Sequence, residues 1–417
     1  MKVLIVGGGG REHALAWKLA QSPLVSELYA TPGNPGIAQI ATCVEGDALS
    51  VARSIGADFV VIGPEVPLAA GLVNRLNVLG IPAFGPNKAA AQLEASKDFC
   101  KQLLKKYAIP TADFETFTSA DPAKFHLCAQ TQFPVVVKAD GLAAGKGVII
   151  AQNRAEALAA VDTLFALQNG AVEPKIVVEE FLEGEEVSLI ALTDGENLLP
   201  LVPAQDHKRA YEGDTGPNTG GMGCYSPVPA LTLELYEQAV REILYPTLAA
   251  LRSEGIEYRG ALYAGLMLTK SGPKVLEYNC RFGDPETQVI LPRLESDLLP
   301  LLLACAGVGK TKLTDWPCQW TPQAAVCVVM ASQGYPGEYR KGDAISGLDA
   351  ARKDGAIVFH AGTKADGESV VSNGGRVLGV TALGDDFAAA REECYQAVAK
   401  IRFEGAHFRR DIGWRCL

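Results

Sequence analysis

The stretch FPVVVKADGLAAGKGVIIAQ, residues 133–152, contains two apolar runs separated by a glycine-rich loop. Short apolar runs bounded by glycine are typical of buried strands, so the stretch predicts strand, loop and strand. A Walker P-loop has the spacing GxxxxGK[ST] before a helix, but Gly141 and Gly145 are one residue too close, and Lys146 precedes a glycine and an apolar run. An exposed hairpin turn is the alternative. Because Lys138 and Lys146 bracket the loop, we expect a flap whose N–H groups and lysines bind a triphosphate.

Acidic residues interrupt the next apolar segment. KIVVEEFL, residues 175–182, and VSLIALTDG, residues 187–195, predict a hairpin-like pair of strands joined by an acidic turn. Carboxylates inside an apolar strand are costly unless they are partnered. Taken alone, the segment favours an edge strand with one solvated face.

LEYNCR, residues 276–281, predicts a strand with a polar face. Alternate strand residues share a face, so Glu277, Asn279 and Arg281 should point the same way. A carboxylate and an amide oxygen are suitable ligands for Mg²⁺, which usually takes one or two protein ligands together with phosphate oxygens. The neighbouring arginine can bind a carboxylate or a transferring phosphoryl group. We favour this metal site over a surface charge pair because polar and turn residues, FGDPE, follow directly.

Residues 206–223, DHKRAYEGDTGPNTGGMG, have little apolar periodicity and predict a long loop. Long ordered loops in compact domains are usually functional. His207 in this segment is a candidate acid or base, but a lone loop histidine is more often simply solvated.

The pattern of elements divides the chain into three parts. Residues 1–98 alternate strand and helix signals and predict a doubly wound parallel sheet. Residues 99–320 predict a mixed domain with a mobile lobe at about 110–185, and residues 321–417 predict a mixed α/β domain. The first loop, GGGG before Arg11, misses the dinucleotide pattern G-x-G-x-x-G. A phosphate at the following helix N-terminus and a simple tight turn are about equally favoured.

Composition narrows the functional classes. The 417 residues include 38 Lys and Arg against 48 Asp and Glu, a net charge of −10, which argues against a nucleic-acid or anionic membrane surface. Ten scattered cysteines without a CxxC pair do not predict a zinc ribbon and fit a reducing cytoplasm. We expect no signal peptide, since the N-terminal apolar run is only Val3 to Val6, and no membrane span, since no apolar run approaches about 20 residues.

Together these motifs resemble the ATP-grasp superfamily, which joins two lysines around a glycine flap, an acidic hinge strand and E-x-N-x-R. The longer stretches GGREHALAW, GPEVPL, KADGLAAGKGV, QDHKR, DTGPNTGGMG, NCRFGDPETQ and NGGRVL resemble the phosphoribosylamine–glycine ligases of purine biosynthesis. Gly8 stands where that family commonly has Asn or Ser, and Cys224 where it has Ala. Two rivals are another ATP-grasp enzyme, such as a biotin carboxylase, and a nucleotide-binding scaffold without catalysis.

The resemblance implies ligation of glycine to 5-phosphoribosylamine by ATP through a glycyl phosphate, with Arg281 and Lys146 in catalysis and Glu277 and Asn279 holding Mg²⁺ or Mn²⁺. It implies ATP contacts at Lys97, Lys138, Gly145, Lys146, Glu179, Glu180, Leu182 and Glu186. It implies substrate contacts at Gly9, Gly10, Arg11, Glu65, Asp206, Lys208, Asn218, Arg281, Asp284, Lys364 and Arg376. A cytoplasmic enzyme and transient contact with neighbouring enzymes of the pathway fit this resemblance, which leaves open how the unstable amine is delivered.

Overall fold

The computed structural model describes residues 1–142, 147–168, 173–310, 312–353 and 355–417. The N-terminal strands are β1 (Lys2–Gly7), β2 (Glu27–Pro32), β3 (Thr42–Cys43), β4 (Phe59–Ile62) and β5 (Ala83–Phe84), and the helices are α1 (Gly10–Leu19), α2 (Ala48–Ile55), α3 (Glu65–Ala69), α4 (Leu72–Val78) and α5 (Gln92–Ala95). The strands form one sheet in the order β3-β2-β1-β4-β5, and every neighbouring pair is parallel. The βαβ rhythm of the sequence therefore predicted this sheet correctly, and the loop after β1 leads directly into α1.

The central part contains two antiparallel sheets. The first sheet and its helices consist of α6 (Lys97–Lys106), β6 (Phe114–Phe117), α7 (Ala120–Ala129), β7 (Val135–Ala139), β8 (Val148–Ala151), α8 (Arg154–Leu167) and β9 (Ile176–Glu180). Its strand order is β6-β9-β7-β8, and its apolar face packs on α7 and α8 in a core of its own. Strands β7 and β8 pair antiparallel, with Val135 opposite Ala151, which confirms the predicted strand, loop and strand.

The rest of the central part builds the second sheet and leads towards the C-terminus. Its elements are β10 (Glu185–Thr193), β11 (Leu198–Pro200), β12 (Gln205–Asp206), β13 (Arg209–Tyr211), β14 (Thr215–Asn218), β15 (Gly223–Ser226), α9 (Leu233–Ala239), a π-helical turn (Val240–Leu244), α10 (Tyr245–Ser253), β16 (Gly260–Thr269), β17 (Gly272–Asn279), α11 (Thr287–Arg293) and α12 (Leu298–Cys305). The second sheet has the order β11-β10-β16-β17. Strand β17, which carries the predicted polar face, lies at its edge.

The C-terminal elements share a sheet with the central part. They are β18 (Ala324–Ala331), β19 (Ala344–Ile345), α13 (Leu348–Lys353), β20 (Ile357–His360), β21 (Thr363–Asp366), β22 (Ser369–Ser372), β23 (Arg376–Gly384) and α14 (Phe387–Val398). A five-stranded sheet has the order β12-β15-β18-β23-β20, and β19-β22-β21 form a smaller one. Because β12 and β15 belong to the large sheet, the segment between them is held beside the C-terminal elements.

Two expectations about strands are wrong. Strands β9 and β10 do not form a hairpin, because β9 pairs with β6 and β7 while β10 pairs with β16. The connection crosses from one sheet to the other through Gly184 at φ +155, where a Cβ would lie 2.1 Å from the carbonyl oxygen of Leu268. Strand β9 is therefore internal rather than an edge strand. Residues 206–223, expected to form a loop, also include β13 and β14, which are too short and, in β14, too exposed to give an alternating apolar pattern.

Candidate active site

The polar face of β17 has the predicted alternation. Tyr278 and Cys280 are buried, whereas Glu277 is exposed and Asn279 and Arg281 are partly exposed. The Arg281 guanidinium donates to the Asn279 Oδ1 at 2.9 Å. The strand thus presents a carboxylate, an amide and a guanidinium in a row on one side.

Lysines from other elements surround the Glu277 carboxylate. Withdrawal from bulk water would raise the pKa of Glu277, but the charges of Lys138 and Lys208, followed by Lys97, outweigh it and hold the pKa below its ordinary value. The Lys138 Nζ donates to the carbonyl oxygen of Leu276 at 3.2 Å, which brings β7 against β17. A single exposed carboxylate among several cations is an arrangement that would attract a polyanion together with a metal ion.

Glu179 on β9 pairs with Lys138 and with a further buried lysine, Lys101. Its Oε2 lies 3.0 Å from the Lys138 Nζ and 3.2 Å from the Lys101 Nζ, and its side chain is only 3% exposed. Burial would lower the pKa of Lys138, but Glu179 and Glu277 raise it above its ordinary value. The Glu179 carboxylate inside the apolar strand is therefore paired with two lysines, which offset the free-energy cost of burying its charge.

Ion pairs connect the end of β17 to residues of the N-terminal part of the chain. The Arg281 guanidinium lies 3.0 Å from Glu94 and 3.4 Å from Glu65. Glu65, the first residue of α3, also lies 3.9 Å from the Arg11 guanidinium. These two arginines lower the pKa of Glu65 even though burial opposes them, so the carboxylate remains ionised between them. The backbone N–H of Cys280 donates to Glu94 at 2.7 Å, which fixes that carboxylate against the end of β17.

Asp284 joins the first loop to the C-terminal sheet. Its Oδ2 accepts from the backbone N–H of Arg11 at 3.3 Å, and a Cβ at Gly9 would lie 3.6 Å from the same oxygen. The Arg376 Nη1, at the start of β23, donates to the carbonyl oxygens of Asp284 at 2.7 Å and Gly220 at 2.5 Å. Burial would raise the pKa of Asp284, but Arg376 and Arg11 lower it. Residues from all three parts of the chain thus meet here.

A second group of carboxylates lies beside Lys208. The Lys208 Nζ is 2.9 Å from the Asp206 Oδ2 and 3.6 Å from Glu186. Among the described residues, however, no donor is oriented to form a hydrogen bond with that Oδ2. Burial, helped by the charges of Glu286 and Glu186, raises the pKa of Asp206 to about 7 against the opposing charge of Lys208. Glu286 accepts from the Tyr263 hydroxyl at 2.7 Å. Asp206 can therefore gain or lose a proton near neutral pH.

Some predicted residues stand apart from these contacts. Lys364 is exposed on β21 and makes no ion pair in the described ranges, and Asn218 is exposed at the end of β14. Glu180 pairs with Lys274 at 3.3 Å on the surface, and Leu182 is buried between β9 and β10. Gly145 and Lys146, and with them most of the predicted flap, lie outside the described residues.

The sequence analysis missed three polar residues and misjudged a fourth. Glu94 and Lys101 form ion pairs with the predicted residues Arg281 and Glu179, and the charge of Glu286 helps to raise the pKa of Asp206. Only Glu286 gave a signal, because it lies within the quoted NCRFGDPETQ stretch. His207 is buried rather than solvated, and burial followed by the charges of Arg415 and Arg409 lowers its pKa to about 3. A neutral, buried imidazole has a packing role and is a poor acid or base near pH 7.

The described residues form neither a membrane-spanning helix nor a cluster of metal-ligating side chains. No helix there is long and apolar enough to cross a membrane. No three His, Cys, Asp or Glu side chains in those ranges converge on one point as a metal cluster. A metal ion at Glu277 and Asn279 would therefore need oxygen ligands from a bound phosphate as well.

Comparison with known proteins gives consistent matches along the chain. Residues 1–94, 95–287 and 325–415 match the phosphoribosylglycinamide synthetase N domain, ATP-grasp (A) domain and C domain. The chain is 51% identical over 423 residues to the phosphoribosylamine–glycine ligase of Rhizobium meliloti, covering 100% of this chain and 99% of that protein. It is 52% identical over 426 residues to that of Synechocystis, covering 100% of both.

Solved structures agree on the fold. The phosphoribosylamine–glycine ligase of Thermotoga maritima matches with a TM-score of 0.86 and 36% identity, covering 99% of this chain and 100% of that one. A biotin carboxylase of Campylobacter jejuni matches with a TM-score of 0.73 but only 13% identity, covering 97% of this chain and 92% of that one. The second match shows a shared fold alone.

Proposed function

The chain belongs to the phosphoribosylglycinamide synthetase family of carbon–nitrogen ligases, and on that premise we propose that it ligates glycine to 5-phosphoribosylamine through a glycyl phosphate. The overall reaction consumes ATP and yields glycinamide ribonucleotide, ADP and phosphate in purine biosynthesis. The observation that carries the proposal is the exposed Glu277 carboxylate, around which lysines of β7, α6 and the 206–223 segment converge. The cytoplasm is the compartment we propose.

The residues around Glu277 form the nucleotide half of the site. Lys97 and Lys138 contact the triphosphate, and Glu179 holds Lys138 in place. The donor set fits a divalent cation, since Glu277 is exposed and an amide oxygen such as that of Asn279 has a second lone pair beside its bond to Arg281. Magnesium or manganese bound there would withdraw negative charge from the phosphate oxygens.

The sequence-based assignments complete this half. Lys146 and Gly145 contact the phosphates from the flap, Glu186 accepts from the ribose hydroxyls, and the backbone at Glu180 and Leu182 binds adenine. These roles rest on the family resemblance and on the lysine and glycine spacing of residues 138–147.

Arg281 acts in both chemical steps. A glycine carboxylate oxygen attacks the γ-phosphorus, the bond to the β-phosphate oxygen breaks, and ADP leaves. Arg281 neutralises the carboxylate and then the acyl phosphate, and its bonds to Glu94 and Glu65 fix its orientation. The amine of phosphoribosylamine then attacks the acyl carbon and phosphate departs.

The remaining predicted residues form the acceptor half, which receives phosphoribosylamine. Asp206 takes the proton that the attacking amine releases, because its raised pKa matches neutral pH. Lys208 and Asp284 bind polar groups of the substrates. The sugar phosphate lies between the first loop and the C-terminal cations Lys364 and Arg376. The first loop supplies Gly9, Gly10 and Arg11, and Glu65 and Asn218 complete the group.

Isotope transfer tests the proposed intermediate. With glycine labelled with ¹⁸O in its carboxylate, the released phosphate should carry one ¹⁸O atom, because the attacking oxygen leaves with phosphorus. Unlabelled phosphate with full product formation would rule out glycyl phosphate. Parallel reactions with bicarbonate in place of glycine separate the ligase from a biotin carboxylase, and reactions lacking each substrate separate it from a nucleotide-binding scaffold.

A further inference from the structure

The segment between β12 and β15 carries important acceptor-half residues on a weak element. We call residues 206–221 the site hairpin. Its strands β13 and β14 pair only with each other, and β14 is exposed along its length. A two-stranded hairpin alone is marginally stable in water. Lys208 and Asn218 therefore depend on contacts from elsewhere for their positions, whereas Asp206, the last residue of β12, borders the paired strands of the hairpin from the five-stranded sheet.

Seven of those contacts come from one stretch near the C-terminus, residues 407–415, which we call the C-terminal strap. Strap and hairpin are joined by seven hydrogen bonds between residues about 200 positions apart in the chain. The contacts run from His407 Nε2 to Ala210 O (2.8 Å), Arg409 Nη1 to Arg209 O (3.1 Å) and Asp214 Oδ1 (2.8 Å), Arg410 N to Glu212 Oε1 (3.2 Å), Gly213 N to Asp411 Oδ2 (2.8 Å), Gly413 N to His207 Nε2 (3.4 Å), and Arg415 Nη2 to Asp214 Oδ2.

Arg409 is the centre of this contact. Its side chain is 0% exposed, and its guanidinium donates to both oxygens of Asp411 at 2.8 Å as well as to Asp214. Arg415 supplies the second positive charge against the same Asp214. Two arginines and two aspartates balance each other, so removing Arg409 leaves Asp411 without its arginine partner and Asp214 with Arg415 alone.

The hairpin transmits this anchorage to the acceptor half at both of its ends. At the first end, Asp206 and Lys208 flank His207, whose imidazole accepts from the strap. At the second end, the Gly220 carbonyl accepts from Arg376, and the backbone N–H of Gly220 donates to the Tyr335 hydroxyl at 3.1 Å. The nucleotide-half residues Lys97, Lys138 and Glu277 make none of the strap contacts, although Lys208 of the hairpin also lies 3.6 Å from Glu186.

We infer that the C-terminal strap positions the acceptor half of the site, and that Arg409 and Arg415 are positioning residues acting through Asp214. This inference rests on the proposed function for the roles of Asp206, Lys208 and Asn218. A strap that only completed the C-terminal fold would affect stability without separating one substrate from another.

The test compares adjacent arginines. Arg409→Ala should raise the KM for phosphoribosylamine by about tenfold, the effect of one lost charge-assisted hydrogen bond, and leave the KM for ATP within about twofold. Arg410→Ala removes the same charge from an exposed side chain and should behave as the unmodified protein.

A milder variant covers the case in which Arg409→Ala does not fold. Arg415→Ala loses its partner Asp214 from a side chain that is 24% exposed, and it should raise the phosphoribosylamine KM by about threefold or more. Adding Asp214→Asn should then cost less than the two single changes combined, because both act on one contact.

The inference is overturned if folded Arg409→Ala or Arg415→Ala keeps an unchanged phosphoribosylamine KM, or if the KM for ATP rises in the same proportion. Failure of the proposed function is seen separately, because the unmodified protein would then show no glycine-dependent ADP release.

Discussion

The nucleotide half and the acceptor half of the site are built in different ways. In the nucleotide half, Lys138 and Glu277 stand on β7 and β17, and contacts such as that of Glu179 join neighbouring strands and helices. In the acceptor half, Arg11 and Arg376 reach Asp284 from opposite ends of the chain. Contacts between neighbouring strands and helices fix the first half, whereas bonds between side chains and backbone groups of residues far apart in the chain fix the second.

This difference predicts how substitutions in each half affect catalysis, substrate binding and the fold. A change in the nucleotide half removes one charge from a rigid strand face, so it should impair chemistry and leave the fold intact. A substitution in the acceptor half breaks a contact that holds a segment in place. It should therefore weaken the binding of phosphoribosylamine, while the nucleotide half still binds ATP. The following variants are ordered from the largest expected effect to the smallest.

Glu277→Gln should give the largest loss. It removes the exposed carboxylate from among its lysines and deprives a bound metal ion of a charged ligand. We expect kcat to fall by about a hundred- to a thousandfold, the range for losing one group that stabilises transition-state charge, with an unchanged melting temperature. Steady-state ADP release measures this. Glu183→Gln, an exposed carboxylate of the acidic turn, is the matched control, and near-normal turnover of Glu277→Gln would remove the metal assignment.

Asp206→Asn should give the second-largest loss of activity, and it should also change the pH dependence of kcat/KM. Because burial raises the pKa of Asp206 to about 7, its basic form is present above pH 7 and is lost as the pH falls through that value. For the unmodified protein, kcat/KM for phosphoribosylamine should fall by about tenfold per pH unit on the acid side.

The amide variant should be about a hundredfold slower at pH 8 and lack this Asp206-dependent step. Lys208, Glu186 and Glu286 face the carboxyl group and set where the step falls. An unchanged pH profile in Asp206→Asn would show that another group accepts the proton.

Arg376→Ala should affect the acceptor substrate alone. It removes the bonds to Gly220 and Asp284 as well as a cation near the proposed sugar phosphate site. We expect a ten- to hundredfold higher KM for phosphoribosylamine, since a charge-assisted hydrogen bond contributes about 1.5–3 kcal/mol. Arg340→Ala, which breaks the separate pair with Asp343, is the control. A wild-type phosphoribosylamine KM in folded Arg376→Ala would exclude it from the site.

Lys364→Ala should have the smallest effect of the four. Its side chain is exposed and lacks an ion pair among the described residues, and an exposed charge contributes up to about 1 kcal/mol. The phosphoribosylamine KM should rise by about two- to fivefold, and the rise should shrink at high salt. If the KM for phosphoribosylamine changes with neither the substitution nor the salt concentration, Lys364 does not belong to the proposed site, and Arg376 remains its C-terminal cation.

The same contrast explains what the sequence could predict. Strand alternation placed Glu277, Asn279 and Arg281 on one face, and the glycine spacing predicted the β7–β8 pair, because both depend on neighbouring residues. The partners of β9 depend on residues far along the chain, so the expected hairpin with β10 was wrong. The bond between Arg376 and Gly220 spans 156 positions, and nothing local in either segment predicts it.

Nucleotide affinity in the Arg376→Ala variant tests the separation of the two halves most directly. Calorimetric titration with ATP and magnesium should give a dissociation constant within about twofold of the unmodified protein, while the KM for phosphoribosylamine rises at least about tenfold. Glu277→Gln, titrated in parallel, should bind the nucleotide more weakly. A fall in nucleotide affinity that parallels the rise in phosphoribosylamine KM would contradict the account.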